Sequence, residues 1–213
     1  MTTVRGKFIS LEGGEGAGKS TLLAGLRECI EGHGIELVLT REPGGTGIGE
    51  AVRSIVLDPL HHGLAAETEL LLMFASRSQL VREVIEPALR AGRWVLCDRY
   101  VDASYAYQGG GRGQPVERIA ELERWACDGV QPELTLLLDL PVAVGRARAA
   151  GRGDADRIEV EADAFFERVR ASYRERAAAE PGRFRVIDAS QTPAAVLLAA
   201  TRALTPLFGE APR

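Results

Sequence analysis

The stretch Gly13-Gly14-Glu15-Gly16-Ala17-Gly18-Lys19-Ser20 decides the fold, because it fits the pattern G-x-x-x-x-G-K-[ST]. Its glycines allow the backbone to turn several N–H groups inward around an anion at the start of a helix. In this pattern the lysine reaches the outer phosphates of a nucleotide, and the hydroxyl binds magnesium. The stretch is therefore a candidate P-loop.

The residues on both sides of the loop support this interpretation. Residues 8–11 are typical of a short buried strand, and apolar residues recur at helical spacing over residues 21–31. A strand, a glycine loop and a helix thus follow one another in the order that the motif needs. Only two of the 26 basic residues are lysines, Lys7 and Lys19, and one of them stands where the loop requires lysine.

Composition limits the class of protein. The 213 residues, 46% of them hydrophobic, suit one domain, or a domain with a mobile insert, with a substantial core. A formal net charge of −4 argues against a nucleic-acid-binding surface, and no apolar run approaches the roughly 20 residues that cross a bilayer. Three cysteines, far apart and without a C-x-x-C pair, indicate reduced thiols. We therefore expect a cytoplasmic protein whose partners are neither nucleic acid nor membrane.

Further strands and helices alternate along the chain. The pattern predicts strands at residues 35–39, 94–98, 134–140 and 184–188, and helices at 48–57, 66–90, 115–126, 141–150, 159–179 and 192–207. With the first strand, this gives an α/β fold whose parallel sheet is covered on both faces. The glycine-rich residues 102–113 are expected to be mobile or tightly turned, because glycine destabilises helices.

Several charged residues stand at the predicted ligand-binding end of the sheet. Asp98 ends a buried apolar strand, as in a Walker-B strand, whose carboxylate lies beside the P-loop and holds magnesium through water. Arg41 follows the second strand, at the edge where open parallel sheets bind ligands. A flexible connection is the alternative interpretation of the Pro and Gly residues after it.

A group of arginines surrounds a glycine-broken stretch near residue 150, namely Arg146, Arg148, Arg152 and Arg157. Such a run of charge is by default a solvated loop. In a phosphate-binding enzyme it is also suited to be a lid that encloses the phosphates and excludes water.

Together these motifs resemble those of the bacterial thymidylate kinases. The resemblance rests on residues 8–21, 41–46, 98–100, 107–113 and 156–159, which occur in the family's order and span almost the whole chain. It implies phosphoryl transfer from ATP-magnesium to dTMP, giving dTDP and ADP, by a homodimer. It also implies the nucleoside monophosphate kinase fold, a three-layer α/β/α structure with a five-stranded parallel sheet in the order 2-3-1-4-5. Residues 1–213 would form one such domain, with a small lid at about residues 146–160.

The resemblance also implies roles for individual residues. Catalysis would depend on Lys19, Arg99 and the lid residue Arg152, with Arg148 and Arg157 in support, and magnesium would be bound by Ser20 and Asp98. ATP would be bound by Gly13, Gly14, Glu15, Gly16, Ala17, Gly18, Lys19, Ser20, Thr21, Arg146 and Arg148. The acceptor dTMP would be bound by Glu15, Arg41, Pro43, Arg53, Phe74, Arg77, Arg99, Ser104, Tyr107 and Gln108.

Two of these roles depend on local geometry. Phe74 would stack on thymine, although an aromatic residue at helical spacing is more often part of the core. It lies three residues before Arg77, whereas some family members have a spacing of four, so Met73 could share the stacking position. Glu15 would contact the acceptor's sugar. Two like charges ~4 Å apart repel by about 4 kcal/mol at an effective dielectric constant of about 20, so its carboxylate must point away from ATP, towards a hydroxyl or an arginine.

Two other functions fit the loop alone. Another nucleotide or nucleoside kinase would share this fold. A P-loop switch or ATPase acting on a protein partner would hydrolyse its nucleotide without an acceptor. The chain contains no asparagine and so lacks the N-K-x-D motif associated with guanine-reading switches.

Overall fold

A computed structural model describes residues 4–150 and 156–209. One sheet contains five parallel strands: β1 (Phe8–Gly13), β2 (Leu37–Arg41), β3 (Trp94–Asp98), β4 (Leu134–Asp139) and β5 (Phe184–Asp188). Their order is β2-β3-β1-β4-β5, which confirms the predicted topology. The central strand β1 is buried along its whole length, and its carboxyl end leads into the glycine loop.

Helices cover both faces of this sheet. Within the described residues they are α1 (Lys19–Gly32), α2 (Gly47–Leu57), α3 (Ala66–Leu80), α4 (Glu86–Arg90), α5 (Val101–Ser104), α6 (Val116–Cys127), α7 (Val142–Ala149), α8 (Asp163–Ala179) and α9 (Pro193–Leu204), with 3₁₀ turns at Pro59–His61 and Thr205–Leu207. None of the helices in these ranges has the length and apolar character needed to cross a membrane.

The core divides into layers because successive strand residues point to opposite faces. Phe8 and Val95 pack in the layer that contains residues of α3, α4 and α6. Ile9 and Leu96, one position further along the same strands, pack in the layer that contains residues of α1 and α9. The sheet is thus held from both sides, and only its edges reach solvent.

The helix predicted over residues 66–90 contains a wider turn in its middle. After α3, residues Val81–Ile85 form a π-helical turn, and α4 follows with Pro87 near its start. Proline has no N–H and its ring crowds the preceding turn, so a disturbance of the helix near Pro87 is expected.

The prediction for residues 102–113 was wrong, because most of this segment is helical. After α5, residues Tyr105–Gly111 form a π-helix, with the N–H of Arg112 donating to the Tyr107 carbonyl at 2.9 Å. A Cβ on Gly110 would lie 2.7 Å from Ser172 Cβ, and one on Gly111 would lie 2.5 Å from the Phe165 ring. The glycines therefore allow α8 to approach this helix closely, and that packing offsets the entropic cost of ordering them.

Candidate active site

The candidate P-loop connects β1 to α1 and touches α7. Gly16 has a φ of 70°, and a Cβ on it would lie 2.0 Å from the carbonyl oxygen of Gly145. Lys19 Nζ donates to the carbonyl oxygens of Gly13 and Gly14, both at 3.1 Å, which folds its side chain back over the loop. Burial and the Arg99 guanidinium lower the pKa of Lys19. An anion bound at the loop would stabilise the charged form of Lys19, which is otherwise disfavoured by burial and by the nearby Arg99.

A cleft of about 340 Å³ lies beside the loop at the carboxyl edge of the sheet. It opens where β2 and β3 end, the position at which parallel sheets bind ligands. Most of the predicted site residues line it together: Glu15, Gly16, Ala17, Gly18, Lys19, Ser20, Thr21, Arg41, Pro43, Arg53, Asp98, Arg99, Tyr107 and Gln108.

Glu15, although part of the loop, is directed to the far side of the cleft. Its Oε1 accepts hydrogen bonds from Arg99 Nη2 at 2.8 Å and from the Tyr107 hydroxyl at 3.0 Å. The prediction that this carboxylate points towards an arginine or a hydroxyl is confirmed. Burial raises the pKa of Tyr107, so its phenol stays protonated and donates to Glu15. The Arg99 guanidinium carbon lies 4.8 Å from the centre of the Tyr107 ring.

Arg99 is held by a second set of contacts that the sequence did not reveal. Its Nη1 donates to the Gly13 carbonyl at 2.9 Å and contacts the Tyr173 hydroxyl at 3.1 Å. Tyr173 in turn donates to Glu12 Oε2 at 2.7 Å. The backbone of Arg99 has a φ of 69°, a left-handed conformation that costs a non-glycine residue roughly 1 kcal/mol or more. These contacts hold a strained residue in one orientation beside the loop.

Two further arginines face the same cleft from β2 and α2. Arg41 Nη2 pairs with Glu50 at 2.9 Å, and Arg53 Nη1 donates to the Pro43 carbonyl at 3.0 Å. Burial and the nearby Arg41 lower the pKa of Arg53. With Arg99, these guanidinium groups place three cations in one cleft, where they can donate hydrogen bonds to a phosphate dianion.

Asp98 ends β3 at the floor of the cleft. Its Oδ1 is buried and accepts no hydrogen bond from the described residues. Ser20 is exposed at the start of α1 and lines the same cleft. A buried oxygen without a donor is a position that a cation or a bound ligand can satisfy.

Phe74, Arg77 and Ser104 lie behind the wall of this cleft. Phe74 packs in the core, with the Arg77 guanidinium carbon 4.5 Å from its ring centre. The fully buried Arg77 pairs with Glu42 at 2.6 Å and donates to Ser104 Oγ at 3.0 Å. Met73 is the candidate for the stacking position that lines the cleft.

The remaining loop and lid residues line separate cavities. Gly13 and Gly14 lie with Arg146 in a cavity between the loop, α7 and α8. Arg148 lies with Gly18, Thr21 and Gln191 in a cavity between α1 and the start of α9. The loop therefore lies between three recesses, and Arg41, Arg53 and Arg99 all line the first of them.

Comparison with known proteins assigns this arrangement to a family. A sequence model described as thymidylate kinase matches residues 11–198. The chain belongs to the thymidylate kinase family.

Individual members agree with this assignment. The chain is 56% identical over 191 residues to the thymidylate kinase of Ectopseudomonas mendocina, covering 90% of this chain and 91% of that protein. It is 55% identical over 201 residues to that of Alkalilimnicola ehrlichii, covering 94% and 93%. The crystal structure of thymidylate kinase from Ehrlichia chaffeensis is 32% identical and superposes with a TM-score of 0.75, covering 94% of this chain and 99% of that one.

The sequence predicts a lid with four arginines in this thymidylate kinase family member. One of them, Arg152, lies outside the described residues. Arg146 Nη1 donates to the Glu161 carbonyl at 2.7 Å, and Arg148 Nη1 donates to the Ala189 carbonyl at 2.8 Å. Arg157 is buried, with its Nη2 2.5 Å from Glu69 Oε2. Arg157 thus anchors the carboxyl end of the predicted lid rather than facing the loop.

The sequence reasoning missed Glu12, Glu69, Tyr173 and Gln191. Glu12 lies inside an apolar strand, and Tyr173 occupies a buried position of an amphipathic helix. No local motif marks these residues, and Glu12, Glu69 and Tyr173 form their hydrogen bonds or ion pairs with distant parts of the chain.

Proposed function

We propose that this chain is a dTMP kinase that transfers the γ-phosphoryl group of ATP to the 5′ phosphate of dTMP, giving dTDP and ADP. The observation that carries the proposal is the placement of Glu15, which belongs to the loop yet is bonded to Arg99 and Tyr107 across the cleft. This carboxylate joins a site for the donor's phosphates to a site built for a second, anionic molecule.

The arginine-rich cleft is the acceptor site in this proposal. Arg41, Arg53 and Arg99 hold the 5′ phosphate, and Glu15 and Tyr107 face the sugar. Met73 lies against the base at the cleft wall, with Phe74 and Arg77 packed behind it. Pro43 and Gln108 line the cleft, with Gln108 nearest the base edge. The buried Ser104 lies behind the cleft wall, where it accepts a hydrogen bond from Arg77.

Phosphoryl transfer to dTMP requires that the two substrates be aligned and that the negative charge of their phosphates be neutralised. A phosphate monoester acceptor is already anionic, so no side chain has to remove a proton from it. Lys19 stabilises charge on the transferred group, and the arginines hold the acceptor in line with it. Arg152, with Arg148 in support, supplies the cation from the lid at residues 146–160 of a single domain spanning residues 1–213.

The donor ATP occupies the loop and the recess beyond it. The phosphates lie on the N–H groups of residues 13–21. The cavity lined by Arg148, Thr21 and Gln191 has room for adenine at about 450 Å³. Arg146 lies close to the loop on its other side.

Magnesium is the metal that the site suits, with Ser20 and Asp98 as its side chains. The orphaned Oδ1 of Asp98 and the Ser20 hydroxyl are oxygen donors of the type Mg²⁺ prefers. When bound with ATP, the ion supplies positive charge that offsets the negative charge of the phosphates.

Asp98→Asn should raise the magnesium concentration needed for half-maximal activity by roughly tenfold or more. Asp128→Asn at an exposed helix end is the matched control, and an equal response of the two variants would remove Asp98 from the metal site.

The proposal includes a cytoplasmic homodimer. Trp125 on α6 is 78% exposed and Leu71 on α3 is 57% exposed, and both line one apolar recess. Cys29, Cys97 and Cys127 are free thiols, as suits a reducing compartment. Light scattering after size exclusion should give twice the chain mass, and Trp125→Glu should halve it. A wild-type monomer would contradict the dimer without affecting the kinase proposal.

A coupled assay of ADP release tests the reaction itself. With ATP and magnesium, dTMP should be phosphorylated in preference to AMP, CMP and UMP. Faster turnover of one of those three would favour another nucleotide kinase. ADP release of equal rate without any acceptor would favour an ATPase.

A further inference from the structure

Glu69 is a buried carboxylate at the junction of three segments. It lies on α3, with 1% of the residue exposed. Its side chain contacts Gln108 of the π-helix, Arg112 directly after that helix, and Arg157 near the carboxyl end of the predicted lid. The Arg157 Nη2 lies 2.5 Å and the Arg112 Nε 3.3 Å from Glu69 Oε2. Two guanidinium groups therefore fix this carboxylate in place.

Gln108 carries a polar atom that the described residues leave unsatisfied. Its Nε2 donates to Glu69 Oε1 at 2.9 Å, whereas its Oε1 is buried and receives no hydrogen bond from them. Gln108 is 1% exposed and lines the arginine-rich cleft. An unsatisfied buried acceptor destabilises the protein, and a ligand that donates an N–H or O–H to it gains affinity from the new hydrogen bond.

The neighbour of Gln108 decides which of its two polar atoms is available to a ligand. A carboxylate accepts hydrogen bonds and has none to donate, so the amide must turn its NH₂ group to Glu69. The opposite orientation would place two oxygens against each other and direct the NH₂ group away from Glu69. The carbonyl of Gln108 is thereby left as an acceptor for a bound base.

We propose that Glu69 is a positioning residue for base selection, which acts by fixing the Gln108 carbonyl as a hydrogen-bond acceptor in the acceptor site. A base with a ring N–H, such as thymine or uracil, satisfies this acceptor. Cytosine presents a ring nitrogen with a lone pair at the equivalent position and is disfavoured. This inference rests on the proposed function, since it concerns the base of the proposed acceptor.

The test compares wild type, Glu69→Gln, Gln108→Leu and the double variant by calorimetric titration with dTMP, dUMP and dCMP. A glutamine at position 69 accepts or donates, so it no longer enforces one orientation of Gln108. We expect dTMP and dUMP to bind Glu69→Gln roughly three- to tenfold more weakly than wild type, and dCMP to bind with unchanged affinity. The preference for dTMP over dCMP then falls, while the preference between dTMP and dUMP stays the same. In the Gln108→Leu background, Glu69→Gln should change that preference no further. Glu175→Gln, an exposed glutamate on α8, is the control and should change none of the three affinities.

The contrary outcomes are distinct. Equal weakening of all three nucleotides would show that Glu69 only supports the fold, and additive effects of the two substitutions would show that it does not act through Gln108. If Glu69→Gln does not fold, NMR of the wild type decides. The Gln108 side-chain amide protons, identified by their loss in Gln108→Leu, should be protected from exchange with solvent both with and without dTMP, and rapid exchange in the free enzyme would overturn the inference. Failure of the wild type to phosphorylate dTMP would instead overturn the proposed function.

Discussion

The carboxylate of Glu15 lies 2.8 Å from the guanidinium of Arg99, so the P-loop and the end of β3 are joined through their side chains. The same guanidinium contacts Gly13 and Tyr173. Arg99 therefore couples the position of the loop to the acceptor side of the cleft. This coupling depends on the shape of the guanidinium group as well as on its charge.

Arg99→Lys tests that geometry. Lysine keeps the charge but lacks the planar fork that reaches Glu15, Gly13 and Tyr173 together. We expect kcat/KM for dTMP to fall by about 10²-fold, measured by steady-state kinetics. Arg174→Lys, at an exposed position of α8, is the control. A fall of less than about threefold in Arg99→Lys would show that charge alone suffices.

Arg152→Ala tests the lid. Removing the arginine that stabilises charge on the transferred phosphoryl group should lower kcat by ~10³ or more. The affinity for dTMP should change little, because Arg41, Arg53 and Arg99 hold the acceptor. Kinetics should be paired with equilibrium titration of dTMP, with Arg174→Ala as the matched control. An Arg152→Ala enzyme with a kcat near that of wild type would exclude this role.

Glu12 predicts a pH dependence of stability. Burial and the nearby Asp102 raise the pKa of Glu12 to about 8 from an unfolded value of 4.5. Between these values the native state holds a proton that the unfolded chain releases, so this group's contribution to stability is lost as pH rises through that window. Glu12→Gln cannot titrate, so its unfolding free energy should fall less than that of wild type between pH 5 and pH 8, by at least about 1 kcal/mol. Urea unfolding at both pH values measures the difference, and parallel pH profiles would contradict it.

Gly110→Ala tests the close approach of α8 to the π-helix. The new Cβ would lie 2.8 Å from the Arg168 carbonyl oxygen as well as against Ser172, so the two helices must separate. We expect a loss of about 1–3 kcal/mol in unfolding free energy. Gly182→Ala meets no atom within 4 Å and should be neutral or slightly stabilising. Equal stabilities of these two variants would show that the interface is loose.

The sequence predicted those parts of the site whose positions depend on residues that are close together along the chain. Lys19 and Ser20 follow from the loop motif, and Asp98 and Arg41 follow from the fact that parallel strands end at one edge. The direction of Glu15 followed from charge repulsion alone. Each of these inferences needs only neighbouring residues and the direction of a strand.

The rest depends on contacts between distant segments. Tyr173 meets Glu12 across 161 residues of sequence, and no pattern in either stretch announces the pair. Met73 and Phe74 are adjacent on one helix, so periodicity does not decide which side chain faces the cleft and which the core. Residues 102–113 were expected to be mobile or tightly turned, because the sequence does not show that the helix predicted at residues 159–179 packs against them.

Glycines allow the Tyr105–Gly111 segment to pack closely against α8. This contact also limits how the enzyme could be evolved in the laboratory to accept other nucleotides. Tyr107 and Gln108 stand on a segment that is wedged against its neighbour, so a bulkier acceptor cannot be admitted by shifting that segment outward. Deleting one residue from it would restore the ordinary helical pitch and rotate both side chains out of register. Broadened variants should instead carry side-chain exchanges at positions such as Met73, whose flexible thioether can be replaced without moving the backbone.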